Sequence, residues 1–284
     1  MRTCIIVIPI YSATLKVTEV ASLKQVLTVL SNHIIHLVTY EDLDTTVYKA
    51  IFEEYNKPFW VDYFDKSYFS SIKDYNKLCL TPAFYLQYSD FDYMLIYQLD
   101  AWVFYDSLQY WCDKGYDYIG APHFYPRKDG VSEDAVGVGN GGFSLRSIKD
   151  CLQISYRNKY IPYLSPIGLM KHYYKKDLVY FRKHPIILEW ILFIIKVFLK
   201  SIGIKNNLSF FTHSGQINED FIFGSGANLA WNTKNNIPSW DEAANFAFET
   251  NPSYLYNYIG KLPFGCHAFE KWEYDSFWRK YIII

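Results

Sequence analysis

The order of apolar and polar positions predicts a parallel sheet built from the N-terminus. Cys4 to Ile10 is an apolar, β-branched run of strand length, and Val17 to Leu30 carries apolar residues at helical spacing, with Val20, Leu23, Leu27 and Leu30 on one face. Ile34 to Val38 reads as a second strand. Strand, helix, strand at this spacing is the signature of a βαβ unit, in which ligands collect at the carboxyl ends of the strands. The loop Pro9 to Lys16 falls at such an end. The pattern also predicts a helix over 75–88, an apolar strand from Tyr93 to Tyr97 that runs straight into Gln98, Leu99 and Asp100, and a strand from Tyr118 to Gly120. A glycine-rich turn, Gly137 to Gly142, precedes Phe143, Ser144, Leu145 and Arg146. No repeat or low-complexity linker interrupts the chain, which reads as one α/β domain over residues 1–284 with a mainly parallel sheet flanked by helices.

Composition narrows the class of protein. Half of the 284 residues are hydrophobic, 20% are charged and 20% aromatic, enough apolar material for a core and too little charge for a disordered chain. Lys and Arg number 28 against 29 Asp and Glu, so there is no overall positive field with which to meet nucleic acid. Cys4, Cys79, Cys112, Cys151 and Cys266 stand far apart without a CxxC pair, which suggests neither a zinc ribbon nor a disulfide framework and favours a reducing compartment. The run from Cys4 to Ile10 is too short for a signal-peptide core, so a cytoplasmic location is expected. The abundance of Tyr, Asn, Ile and Lys leans towards an AT-rich, bacterial source.

Charge is concentrated in one segment. Residues 171–205 carry eight Lys and Arg against Asp177 and Glu189, a net +6, which leaves −7 for the rest of the chain. Within it, Ile186 to Leu199 is almost wholly apolar but far short of the roughly 20 residues that span a bilayer. Two readings stand: a core helix, or an interfacial helix whose apolar side dips into lipid while the flanking lysines meet anionic head groups, with Trp190 at the boundary.

Candidate chemistry begins at Asp100 in LIYQLDAWVF. A carboxylate directly after a buried strand is placed to meet a metal or a phosphate-bearing ligand. It could equally cap the next turn. Glu219 and Asp220 precede the apolar Phe221, Ile222 and Phe223, either as carboxylates at the mouth of a site or as first-turn acids of a helix. Gly139, Asn140, Gly141 and Gly142 form a turn with little Cβ obstruction, which allows backbone to approach a sugar or phosphate closely.

Asp100 in LIYQLDAWVF, the turn VGNGGFSLR, the acidic pair in INEDFIF and the late stretch LPFGCHAF, in that order, resemble a nucleotide-sugar glycosyltransferase of the GT-A type, and within it a bacterial branch from surface-polysaccharide gene clusters. The resemblance covers most of the chain outside about 159–216, which reads as a basic and apolar helical insertion. It implies a Rossmann-like mixed sheet. It also implies a DxD motif that binds Mn²⁺ or Mg²⁺ and through it the donor diphosphate, but the matching positions here are Asp100, Ala101 and Trp102, without the second carboxylate. Two arrangements would restore the function: Asp100 with His267 as second metal ligand, which favours manganese, or basic side chains in place of a metal.

By the same resemblance Asp220, with Glu219 beside it, supplies the base that deprotonates the acceptor. Asn140, Gly141 and Gly142 lie under the donor sugar. Arg146, read from the residues alone, could balance diphosphate charge or pair with a structural carboxylate. Pro9, Tyr11 and Ser12 cradle the base and ribose. The expected function is inverting transfer of a hexose from a UDP-sugar to a saccharide, lipid-linked acceptor in surface polysaccharide synthesis, with peripheral membrane contact through 171–205 and no nucleic acid partner. A non-catalytic carbohydrate-binding or scaffold protein is the alternative, motivated by Trp102. A nucleotidyltransferase would need a glycine-rich loop after the first strand, and Ile8 to Lys16 contains no glycine. No GxSxG or Cys and His arrangement points to a hydrolase.

Overall fold

A computed structural model describes residues 2–127, 130–156, 186–202, 204, 218–225, 228 and 234–284. The first half runs β1 (Cys4–Pro9), α1 (Val17–Val29), β2 (Ile34–Thr39), α2 (Thr46–Glu54), β3 (Trp60–Tyr63), α3 (Ile72–Cys79), α4 (Pro82–Leu86), β4 (Tyr93–Tyr97), β5 (Trp102–Val103) and α5 (Leu108–Lys114). The second continues with β6 (Tyr118–Ile119), β7 (Ala121–Arg127), β8 (Gly130–Gly139), β9 (Phe143–Ser147), α6 (Ile148–Ser155), α7 (Ile186–Ser201), α8 (Glu219–Phe223), α9 (Trp240–Phe246), β10 (Ala247–Phe248), α10 (Pro252–Ile259) and β11 (Gly265–Cys266).

The expected βαβ start is present. Ile5, Ile6, Val7 and Ile8 are fully buried on both faces of β1, which is how a central strand of a parallel sheet reads in sequence. Leu23 and Leu27 of α1 are buried and Val20 packs beside them, as the helical spacing requires. Glu19 reaches back to accept a 2.8 Å bond from the Lys16 N–H and so fixes where α1 begins.

Six strands form the main sheet in the order β3-β2-β1-β4-β9-β6. β1, β2, β3 and β4 are mutually parallel, whereas β9 runs antiparallel to both β4 and β6. The protein is thus a mixed α/β fold with a mainly parallel sheet flanked by helices. The chain travels from β1 outward through β2 to β3 and then returns to the other side of β1 as β4. The carboxyl ends of β1 and β4 therefore flank a topological switch point, where such sheets open a crevice for ligands.

A second sheet, β10-β11-β5, sits beside that point. Cys266 pairs with Trp102 on one side and with Phe248 on the other. Next to those rungs lie His267, Ala101 and Glu249, so the register of three two-residue strands aligns three distant parts of the chain. A hairpin, β7-β8, sets His123 opposite Gly137.

Some expectations are corrected. The helix expected over 75–88 is two helices, because Pro82 has no N–H to continue α3 and Thr81 before it takes an extended backbone, φ −87° and ψ 141°. Gly137 to Gly139 end β8, and only Asn140 to Gly142 make the turn. Among the described apolar side chains of α7, only Phe193 and Val197 are buried, which does not fit a core helix. Residues 159–185, 203 and 205–216 of the expected insertion lie outside the described residues. All five cysteines are free thiols.

Candidate functional site

β4 delivers Asp100 to the switch point on a tight turn in which the Ala101 N–H bonds the Gln98 carbonyl at 2.9 Å. His267 meets it there. Nε2 of the imidazole lies 3.2 Å from Asp100 Oδ1 and 3.2 Å from Gln98 Oε1, while Nδ1 lies 3.3 Å from Glu249 Oε1. The His267 backbone is held by its N–H to Phe248 carbonyl bond of 2.9 Å. Burial disfavours a charged imidazole, but hydrogen bonds and attraction from Asp100 and Glu249 outweigh it and raise its pKa to about 10. Burial likewise works to raise Asp100, yet His267 and, further off, Lys16 hold its carboxyl below the ordinary value.

The cluster is open to solvent through Asp100, whose side chain is 44% exposed, and through Tyr11, 66% exposed, at the end of β1. Partial burial and the nearby carboxylates of Glu19 and Asp100 raise the Tyr11 phenol. Two surface cavities, of about 500 and 680 Å³, lie elsewhere, one beside Trp111 and Asp241 and the other beside Arg2 and Asp150.

On the other side stand the acidic pair and the glycine turn. The Asn140 N–H donates to Asp220 Oδ2 at 2.9 Å, and His123 Nε2 lies 3.6 Å from the same oxygen. Three glycines leave room for three titratable side chains. A Cβ on Gly139 would sit 2.2 Å from the His123 ring, one on Gly141 would sit 2.0 Å from Glu219 Oε1, and one on Gly142 would sit 2.0 Å from His267 Nε2. The turn is the common floor of the site, so the close approach read from its glycines is made by the protein's own side chains. Asn140 itself takes φ +76°, is buried, and accepts from the Gly142 N–H at 3.0 Å. Its Nδ2 is a buried donor with no hydrogen-bond partner among the described residues.

The structure thus brings Asp100, His267, Asn140, Gly141, Gly142, Glu219 and Asp220 to one place and corrects several expected roles. Arg146 does not face a diphosphate. It is fully buried and donates to Glu219 Oε1 at 2.8 Å, to the Ser144 hydroxyl, to the Gly141 carbonyl and to the Tyr85 hydroxyl. Glu219 is consumed by the same pair: burial and repulsion from Asp220 push its carboxyl up, against the pull of Arg146. That leaves Asp220 as the acid of the pair that reaches the surface, with a side chain 13% exposed. Pro9 is buried at the end of β1 rather than facing a ligand, and the Ser12 hydroxyl donates to the Thr14 carbonyl within the loop that follows. Trp102, where a second carboxylate is expected, is buried against Phe269, and the second carboxylate of the cluster is Glu249.

Sequence reasoning missed Lys16, Gln98, His123 and Glu249. Only Gln98 had a local signal, its place one residue short of the strand-end turn. Glu249 reaches the site through strand register, which no short window of sequence encodes, and His123 reaches it through a hairpin. The Asp129-Gly130 dipeptide is the feature that could have revealed the hairpin.

Among the described residues, no group of three or more His, Cys, Asp or Glu side chains is arranged to hold a metal ion. The pair Asp100 and His267 nevertheless has suitable donor chemistry. With Glu249 accepting from Nδ1–H, Nε2 turns its lone pair to the Asp100 carboxylate, and two such groups 3.2 Å apart require a cation between them. A proton can serve, and so can a divalent ion completed by ligand oxygens.

A family model described as "Protein of unknown function (DUF5672)" matches residues 59–267. The chain belongs to the DUF5672 family. That match takes in Asp100, the glycine turn and the acidic pair, and it ends on His267, whereas Tyr11 and Lys16 precede it. No curated protein matches the sequence. Among solved structures, this DUF5672 protein is similar to mouse xyloside xylosyltransferase 1 in its apo form, with TM-score 0.41 and 12% identity over 94% of this chain and 97% of that one. It is similar to core-mannan synthase A from Aspergillus fumigatus in an Mn/GDP form, with TM-score 0.39 and 9% identity over 52% of this chain and 60% of that one, so the likeness spans about three fifths of the synthase. A cytidylyltransferase from Leptospira borgpetersenii gives TM-score 0.31 and 8% identity over 61% and 72% of the two chains. Overlap at this level fixes neither substrate nor chemistry.

Proposed function

We propose that this DUF5672 protein is a glycosyltransferase that moves a hexose from a nucleoside-diphosphate sugar to a saccharide hydroxyl with inversion. The observation that carries this reading is the convergence at the switch point of Asp100 and His267 on one side of the glycine turn and Asp220 on the other. One cluster suits an activated, anionic donor; the other suits a neutral nucleophile that must lose a proton.

At the donor side, Tyr11 offers an exposed aromatic face for a nucleobase, with uracil the expected partner, and Lys16 offers a cation within electrostatic reach of Asp100. Asp100 and His267 Nε2 would hold a divalent ion, manganese in preference to magnesium because of the imidazole, and when bound it would supply Lewis-acid neutralisation of charge on the departing diphosphate. Glu249 orients the imidazole for this task by accepting from Nδ1. The unpaired Asn140 Nδ2 is a donor for a hydroxyl of the transferred sugar.

At the acceptor side, Asp220 takes the proton from the attacking hydroxyl as its oxygen bonds to the anomeric carbon and the bond from that carbon to the diphosphate breaks. One carboxylate suffices, because the diphosphate leaves without being protonated. Arg146 and Glu219 take no part in proton transfer; their buried pair fixes the start of α8 and hence the place of Asp220. The acceptor we favour is a lipid-linked glycan intermediate of surface polysaccharide synthesis, within a single 284-residue domain.

The test is the Asp220→Asn variant assayed for release of UDP from UDP-hexoses with Mn²⁺ and acceptor extract. Transfer should fall by at least about 100-fold, as expected for loss of a general base, with UDP binding nearly intact. Loss of UDP binding in the same variant would move Asp220 to the donor side. Unchanged transfer would remove it from the mechanism.

A further inference from the structure

Among the described residues, three side-chain oxygens surround the two ring nitrogens of His267. Glu249 Oε1 lies 3.3 Å from Nδ1, while Asp100 Oδ1 and Gln98 Oε1 each lie 3.2 Å from Nε2. A single N–H at Nε2 cannot be aimed well at two oxygens. Hydrogen bonds between a charged imidazole and a carboxylate also run shorter, about 2.7–2.9 Å. The protein contains one of that kind, with His36 Nδ1 2.7 Å from Asp62 Oδ2. The spacings at His267 Nε2 match a different arrangement. Neighbouring ligands of an octahedral ion stand about 1.4 bond lengths apart, which gives about 2.9 Å for magnesium and about 3.3–3.7 Å for calcium. The observed 3.2 Å falls between them, where an ion of intermediate size such as manganese belongs.

The backbone fixes where Gln98 stands. Its N–H donates to the Gly142 carbonyl at 2.8 Å, and its carbonyl accepts from the Ala101 N–H at 2.9 Å. These bonds tie residue 98 both to the glycine turn and to the turn that carries Asp100, and neither uses the carboxamide. That group is left to meet His267, as the Asp100 carboxylate does two positions later. Side-chain amide oxygens are ordinary ligands of hard divalent cations. The two oxygens at Nε2 bring one negative charge between them, from Asp100, because the Glu249 carboxylate faces the other ring nitrogen.

We propose that Gln98 Oε1 is a third protein ligand of the divalent ion, beside Asp100 and His267 Nε2, and supplies the oxygen that Trp102 does not. The inference rests on the metal-bound donor site proposed above and adds to it a ligand of a type that a search for acidic motifs passes over. It also gives the site a set of one carboxylate, one imidazole and one amide, whose charge can be raised by a single substitution.

The test measures Mn²⁺ binding to the full chain from the loss of the paramagnetic resonance signal of free Mn²⁺, with and without UDP, for wild type, Gln98→Met, Gln98→Glu and Asp100→Asn. Gln98→Met keeps the length of the side chain without its oxygen and should weaken Mn²⁺ binding by at least about tenfold. Its melting temperature should stay at the wild-type value, since Gln98 is only half-buried and its backbone bonds remain. Gln98→Glu should tighten Mn²⁺ binding by at least about threefold, because affinity rises with ligand charge. If Gln98 served only as a hydrogen-bond partner of the ring, a glutamate there would hold a proton on Nε2 in competition with the ion, and binding would weaken instead. Equal affinity in wild type and Gln98→Met, or weaker binding by Gln98→Glu, would overturn the role of Gln98 alone, with Asp100→Asn still weakening binding. Absence of Mn²⁺ binding to wild type, both with and without UDP, would overturn the metal-bound donor site and this inference with it.

Discussion

Removing the Arg146 guanidinium strands the buried Glu219 carboxylate without its partner, and breaking such a pair costs about 3–5 kcal/mol. Arg146→Met should therefore lower unfolding stability by about that amount in a denaturant melt, and adding Glu219→Gln should recover part of it, because a neutral amide tolerates burial better. A donor-binding Arg146 would instead lose nucleotide affinity with little change in stability. Glu249 makes the opposite case. Its bond to His267 Nδ1 orients the imidazole, so Glu249→Gln should reduce Mn²⁺-dependent UDP affinity by roughly 10–100-fold, measured by calorimetry, with metal-free affinity moved far less. The positions that converge at the switch point carry local marks in the sequence. Asp100, Asp220 and His267 each stood beside a strand, an apolar run or a glycine turn that marked them. Arg146 stood beside the same turn, and nothing local revealed that it points inward under the floor of the site. Burial depends on what packs from 73 residues away, here Glu219.

Among the elements, β1, α1, β2 and β4 were legible because their apolar periods match their structure nearly residue for residue. β5, β10 and β11 are two residues each, too short for any period, yet their ladder is what aligns Asp100, Glu249 and His267. The edge strand β3 is half exposed and is held by side chains. Asp62 accepts from Tyr88 at 2.9 Å and from Gln87 at 3.0 Å, and lies 2.7 Å from His36 Nδ1 on the neighbouring strand. Burial alone would raise this carboxyl, but the bonds from His36 and Tyr88 win and hold it below its ordinary value. The folded pKa then lies below the unfolded one of about 3.9, so the ionised group stabilises the fold above that pH and the contribution is lost as pH falls through the folded pKa. Asp62→Asn should lower the melting temperature at neutral pH and flatten its decline below about pH 4, where wild type and variant converge.

For the molecule as a whole, the chain's return across β1 creates the crevice, the second sheet supplies one half of the site and the glycine turn with α8 supplies the other. Fold class followed from the sequence because parallel sheets have a strong local signature. The site followed only in part, since its assembly rests on register between strands far apart in the chain. In the proposed function the Asp100–His267 pair receives the diphosphate of a nucleotide sugar. The most direct measurement is calorimetric titration of UDP and GDP into the full chain, with and without Mn²⁺, for wild type and for Asp100→Asn. At least one of these nucleotides should bind, and Asp100→Asn should weaken the metal-dependent part by about tenfold or more, a loss of about 1.4 kcal/mol at least. Failure of both nucleotides to bind, or equal binding by the variant, would contradict it.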